Sequence, residues 1–148
     1  GVDAFIDACD QVRAKAAMAA WARRASAFAV HVGAAGGKRL AHLVQTDDLA
    51  EVTHDPLLAQ MRYRMRKEYG APKDGKKMRI ACVFSKEAVR GPDASCAVDG
   101  ATDAVGDGSL NCHGYGSSVA VTATFGMCAA SLVFERLAAE DKAPKTKL

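Results

Sequence analysis

No C-x-x-C pair occurs in this sequence, although five cysteines stand at positions 9, 82, 96, 112 and 128. The odd count argues against a disulfide framework, and the missing pairs argue against a zinc site. Free thiols of this kind point to a reducing cytoplasm. The opening residues carry acids and no basic n-region, so no signal peptide is expected. The one long uncharged run, residues 114–134, contains Ser117, Ser118, Thr122, Thr124, Gly126 and Ser131. That mixture is too polar for a membrane span and predicts a buried helix instead. No G-x-S-x-G elbow surrounds Ser117 or Ser118. His31, His42 and His54 lack metal-ligand spacing and are expected to be structural. Charge of one sign is also scarce: a net charge of +3 names no partner by itself.

What is present suits one soluble domain. The 148 residues are 49% hydrophobic and 25% charged, enough chain to bury a core. The segment Val2 to Arg24 organises the rest. Val2, Ala4, Phe5 and Ile6 form a short apolar run ending at Asp7 and Asp10, and a helix is predicted from Gln11 to Ala25. Val12, Ala16, Ala19 and Ala20 would face a sheet, with Asp10 as the N-cap. A second strand, Phe28 to Val32, completes a right-handed parallel crossover. Ligands of open α/β sheets bind beyond the carboxyl ends of such strands, where Asp7 and Asp10 stand. Asp10 therefore has two readings: a helix cap, or a carboxylate that orients a nucleotide or its Mg²⁺. The abrupt opening predicts that the sequence begins in the middle of a domain.

Gly33 to Lys38 (GAAGGK) follows a strand but opens no helix, so a plain turn is favoured over a phosphate loop. Arg39 to Gln45 is predicted as another strand. Asp55-Pro56 starts a helix over 55–69, with Leu57, Met61, Met65 and Tyr69 on its apolar face, Gly70 at its end and Pro72 beyond. Its other side carries Arg62, Arg64, Arg66 and Lys67, followed by Lys73, Lys76, Lys77 and Arg79. Eight basic residues against Glu68 and Asp74 give +6 for Met61 to Arg79, so the remainder of the +3 chain carries −3. A solvated face and a phosphate-contacting patch are both open readings.

Arg79 to Ser85 is a predicted strand, and residues 86–111 read as a long loop with one short strand near Cys96. Cys112 lies beside His113, as an activated thiolate or as a small residue that fits a glycine-rich turn. From Ser117 the run mixes strand-like Val119, Val121, Thr122 and Thr124 with helix-forming residues, and one long buried helix is expected. Residues 143–148 form a basic tail, expected to fray.

The pieces FIDACDQVRAKAAMAAWARR, VGAAGGK, TDDLAEVTHDPLLAQMRYRMRKEYG, CVFSKEA and NCHGYGSSVAVTATFGMCAASLVFERL occur in that order. Together they resemble the C-terminal part of the tRNA-modifying dehydratases in the ThiF/MoeB adenylating superfamily, relatives of ubiquitin-activating enzymes. The resemblance implies the C-terminal portion of a Rossmann-like α/β fold with a mixed parallel and antiparallel sheet and flanking helices. It divides the chain into residues 1–37, the end of the nucleotide-binding half; 38–138, the C-terminal half of the same domain; and 139–148, the tail. It places the V-T-A-T-F-G stretch on a helix under the sheet. It implies ATP and Mg²⁺ as cofactors and adenylation of the carboxylate of threonylcarbamoyl-adenosine in tRNA, followed by ring closure. Asp10 would hold ATP with its metal, and Asp7 would share the nucleotide site. The role of Cys112 stays open. The basic residues Arg62, Arg64, Arg66, Lys67, Lys76 and Lys77 would contact tRNA. Homodimers, a cysteine desulfurase or sulfur-acceptor system and a cytoplasmic location are also implied. The family's Gly-rich phosphate loop, phosphate-contacting arginines and catalytic lysine match nothing in this sequence, so it is expected to be an inactive fragment of such an enzyme. Two alternatives accompany this reading: adenylation of a ubiquitin-like sulfur carrier, and a non-catalytic dimerising or RNA-binding remnant.

Overall fold

The computed structural model describes residues 1–73, 75–89 and 116–141. Its centre is a four-stranded sheet in the order β1-β2-β4-β3. β1 (Ala4–Asp7), β2 (Phe28–Val32) and β4 (Ala81–Ser85) run parallel, and β3 (Val44–Asp48) is antiparallel to β4. The mixed sheet anticipated above is therefore present. α1 (Val12–Ala25) crosses from β1 to β2, and α2 (Pro56–Glu68) leads back from β3 to β4. α3 (Val119–Asp141) covers the opposite face.

Side chains alternate across the strands, and the alternation builds two cores. Cys82 and Phe84 of β4 face α1 and α2, meeting Ala16, Ala19, Leu58, Met61 and Met65. Val30, Val32 and Val83 face the other way, against Val121, Phe125 and Ala129 of α3. Strands covered on both faces read as the nearly continuous apolar runs FAVHV and ACVFS.

Several local expectations change. The N-cap of α1 is Gln11, with no side-chain cap bond, so Asp10 sits one residue before the cap. α1 borrows its stability from its alanine face on the sheet rather than from a cap. Of the strand expected at 39–45 only Val44 and Gln45 are in one: a 3-10 turn occupies Ala41–Leu43, and the strand runs from Val44 to Asp48. The edge strand is set by pairing with β4, Val44 opposite Ser85 and Asp48 opposite Ala81, not by local apolar content. α2 starts as predicted, with Asp55 Oδ1 accepting from Leu58 N at 3.0 Å and Pro56 in the first turn. Its buried side is Leu57, Leu58, Met61 and Met65; Tyr69 lies at the surface. α3 is helical despite its β-branched start, but only one side is covered. Val119, Met127 and Phe134 are 77%, 74% and 69% exposed. Among the described residues it is the one helix long and apolar enough to cross a membrane, and it packs against the sheet. Cys9, Cys82 and Cys128 are free thiols. The short strand expected near Cys96 and the Cys112–His113 pair lie outside the described residues.

Candidate functional site

A cleft of about 580 Å³ opens beyond the carboxyl ends of β1 and β2. That is the position where open α/β sheets bind ligands, and the volume lies within the usual range for small-molecule sites. Its wall is the β1–α1 turn with Cys9 and Asp10, the loop from Gly33 to Gly36, the first turn of α2, and Phe125 and Gly126 of α3. The lining is mainly apolar, and Asp10 is its sole charged side chain among the described residues. Parity along β1 explains the sorting of the two acids. Asp7 pairs in register with His31 and points to the α1 side, while Asp10 has left the strand and reaches the cleft.

Asp7 is buried in a fixed network. Its Oδ2 accepts from Lys15 Nζ at 2.8 Å and His31 Nδ1 at 2.7 Å, and its Oδ1 accepts from Cys9 N at 3.0 Å. Lys15 Nζ also donates to the Asp7 carbonyl. Burial by itself would raise the Asp7 pKa, but the His31 hydrogen bond and the Lys15 ammonium outweigh it and hold the carboxyl well below the ordinary carboxylate range. Burial lowers the His31 pKa, against the pull of Asp7, so the ring is neutral and donates through Nδ1. Burial and then the neighbouring Asp7 raise the pKa of the Cys9 thiol, so the thiol, not the nucleophilic thiolate, lines the cleft. The network clamps the turn carrying Asp10 from behind.

A second buried hub fixes the opposite wall. Asp55 caps α2 with one oxygen and accepts Ala34 N at 2.9 Å with the other. Lys38 Nζ lies 3.8 Å from Asp55 Oδ2 and donates to the carbonyls of Ser85 and His54. Burial lowers the pKa of Lys38, while Asp55 and Glu87 support its charge. His54 is held at a positive φ of 57°, and Lys38 bonds its carbonyl. Gly33 passes so close that a Cβ there would lie 2.1 Å from Asp55 Oδ2. The GAAGGK segment is thus a turn, as expected, and its glycine serves close approach.

Sequence reasoning missed Lys15 and Lys38, both fully buried. The available signal for Lys15 was its place on the same side of α1 as Ala16 and Ala19, below an acid at the strand end. The basic segment is also sorted by the fold. Arg62 donates to the carbonyls of Leu49 and Val52, Arg66 to that of Pro72, and Arg64 pairs with Glu68. Lys67, Lys73, Lys76 and Lys77 are exposed. No group of three or more potential metal ligands occurs among the described residues.

No protein-family model matches the chain. It is 37% identical over 145 residues to tRNA threonylcarbamoyladenosine dehydratase of Escherichia coli, covering 95% of this chain and 53% of that protein. It is 34% identical over 139 residues to the Haemophilus influenzae protein of the same name, covering 93% and 51%. The solved structure of the E. coli dehydratase TcdA in complex with ATP superposes with a TM-score of 0.78 at 33% identity, over 97% of this chain and 51% of that one. The match falls on the C-terminal part of those proteins. The chain spans about half the length of the curated relatives it matches.

Proposed function

We propose that this chain, the counterpart of the C-terminal part of tRNA threonylcarbamoyladenosine dehydratase, supplies one half of an ATP-dependent site that cyclises threonylcarbamoyladenosine in tRNA. The observation that carries the reading is Asp10 on the rim of a cleft at the carboxyl ends of β1 and β2, in a chain matching a dehydratase with an ATP-bound structure. ATP, when bound, would supply the adenylyl group that activates the substrate carboxylate with release of pyrophosphate, so that ring closure within the substrate could expel AMP.

The residues present fit one part of ATP. Val32, the Gly33–Gly36 loop and Phe125 offer an apolar bed for a purine and its ribose. Asp10 is suited to a Mg²⁺ that is otherwise held by phosphates, since Mg²⁺ sites commonly use one or two carboxylates plus substrate oxygens. Lys15 and His31 keep Asp7 charged and stiffen the turn that presents Asp10. No cation lines the cleft among the described residues to receive the phosphates. That the chain is inactive alone belongs to the same proposal, with a non-catalytic remnant as the second reading.

The edge of β1 that no described strand pairs, with exposed Val2, Ile6 and Trp21 beside it, and the outer face of α3 are where a second subunit of a homodimer would pack. A cytoplasmic location, tRNA contacts from Arg64, Lys67, Lys76 and Lys77, and traffic with a sulfur-acceptor system belong to the same proposal. Arg62 and Arg66, tied to backbone carbonyls, would support that surface rather than bind phosphate.

ATP–pyrophosphate exchange tests the reading. The 148-residue chain alone should show none. A full-length dehydratase carrying this sequence as its C-terminal part should exchange and dehydrate modified tRNA, seen by nucleoside mass spectrometry. Asp10→Ala should abolish both while leaving the thermal midpoint unchanged; retained exchange would remove Asp10 from the site. Cys112→Ser should leave cyclisation largely intact, because the activated carboxylate is attacked from within the substrate.

A further inference from the structure

We propose that Tyr63, with Lys67 over its ring, is a stacking platform for an unpaired RNA base, and that Lys73, Lys76 and Lys77 of the loop after α2 hold phosphates of the same strand. The inference rests on the tRNA reading above and adds a base-contacting residue to it.

Three observations lead here. First, Tyr63 is 62% exposed on α2, whose buried side is already complete with Leu57, Leu58, Met61 and Met65. A large aromatic at such a position adds nothing to the core. Lys67 stands one turn later, its Nζ 5.6 Å from the Tyr63 ring centroid, so an aromatic and a cation already share one patch.

Second, the fold divides the basic segment into spent and unspent charge. Arg62 and Arg66 are engaged with backbone carbonyls and Arg64 with Glu68. Lys73, Lys76 and Lys77 are exposed, and their ammonium groups have no partner among the described residues. Glu68, one residue after Lys67, is itself paired with Arg64.

Third, the loop with the lysines is held beside the helix. Residues 63, 67 and 70 lie on one helical row, which runs into the positive-φ Gly70. Arg66 Nε donates to Pro72 O at 3.3 Å, pinning the loop one residue before Lys73. A second positive-φ glycine, Gly75, turns the chain before Lys76 and Lys77.

The occupant follows from charge complementarity and ring chemistry. Four exposed lysines ask for a polyanion. An exposed ring beside one of them asks for one with flat apolar groups along its length. Single-stranded RNA offers both, whereas the bases of a duplex are stacked on one another.

The experiment is fluorescence polarisation with the full chain at several salt concentrations. The probes are an RNA hairpin with an unpaired loop, a blunt RNA duplex with the same number of phosphates, and vesicles containing phosphatidylserine. The wild-type chain should prefer the hairpin. Tyr63→Ala should weaken hairpin binding by about five-fold or more with an unchanged salt slope. Tyr63→Phe should restore it. Lys73→Gln with Lys76→Gln and Lys77→Gln should flatten the slope by about two units, near 0.7 for each single-strand phosphate released. Equal affinity of Tyr63→Ala and wild type would overturn the platform. If the lysine variant still weakened binding in that case, the tRNA reading would stand. Binding to vesicles but to neither RNA would overturn both.

Discussion

At the scale of residues, the buried network of Asp7, Lys15 and His31 decides how the Asp10 turn is held. Removing one partner of a buried ion pair leaves an uncompensated charge, so Lys15→Met should destabilise the fold by about 3–5 kcal/mol in urea denaturation. The pH dependence has a definite sign. His31 is neutral in the fold because burial lowers its pKa, while the imidazole of the unfolded chain takes a proton below about 6.5. The unfolded state then binds more protons, and stability falls as the pH drops below that value. The depressed pKa of Asp7 acts in the same direction at lower pH. Its contribution is present above about 3.9, the ordinary carboxylate value, and is lost as pH falls toward its folded value. His31→Gln should flatten the upper limb of a stability–pH curve; an unchanged upper limb would mean that His31 titrates alike in both states.

At the scale of elements, α2 and the Gly33–Gly37 loop are coupled through Asp55. Asp55→Ala removes the helix cap, the Ala34 bond and the counter-charge of buried Lys38 together. A cap alone is worth about 1 kcal/mol, and the stranded lysine should bring the total loss to about 3–5 kcal/mol. Gly33→Ala drives a methyl into Asp55 Oδ2 and should cost about 1–3 kcal/mol, with the cleft wall displaced. α3 offers a contrast within one helix. Phe125→Ala, at 2% exposure, should cost about 3–5 kcal/mol, whereas Phe134→Ala should stay within about 0.5 kcal/mol in the isolated chain. Thermal and chemical unfolding of the two variants, run side by side, measures this asymmetry.

At the scale of the whole molecule, the described residues leave apolar surface at the outer edge of β1 and along the outer side of α3. Residues 119, 127 and 134 fall on one helical stripe, opposite Val121, Phe125 and Ala129. An isolated chain should therefore self-associate. Met127→Lys with Phe134→Lys should lower its sedimentation-derived mass at a given concentration without loss of helical signal. Unaltered association would place the sticky surface at the β1 edge instead.

Local chemistry wrote much of this fold into the sequence. The apolar run ending at Asp7 gave β1, FAVHV gave β2, Asp55-Pro56 gave the start of α2, and Gly70 gave its end, because caps, turns and periodic faces act within a few residues. Asp10 was legible as a candidate ligand for the same reason: it follows a strand and precedes a helix. Tertiary structure decided the rest. It made β3 a strand at 44–48 through pairing with β4, and it kept Val119 to Thr124 helical because residues 121, 125 and 129 gain more from the sheet than propensity costs. It buried Lys15 and Lys38, which a sequence reading leaves in solvent, because carboxylates brought from 8 and 17 residues away repay part of their desolvation. It also separated Asp7 from Asp10. Only the pairing register shows which of two neighbouring acids turns inward to a lysine and which faces the cleft.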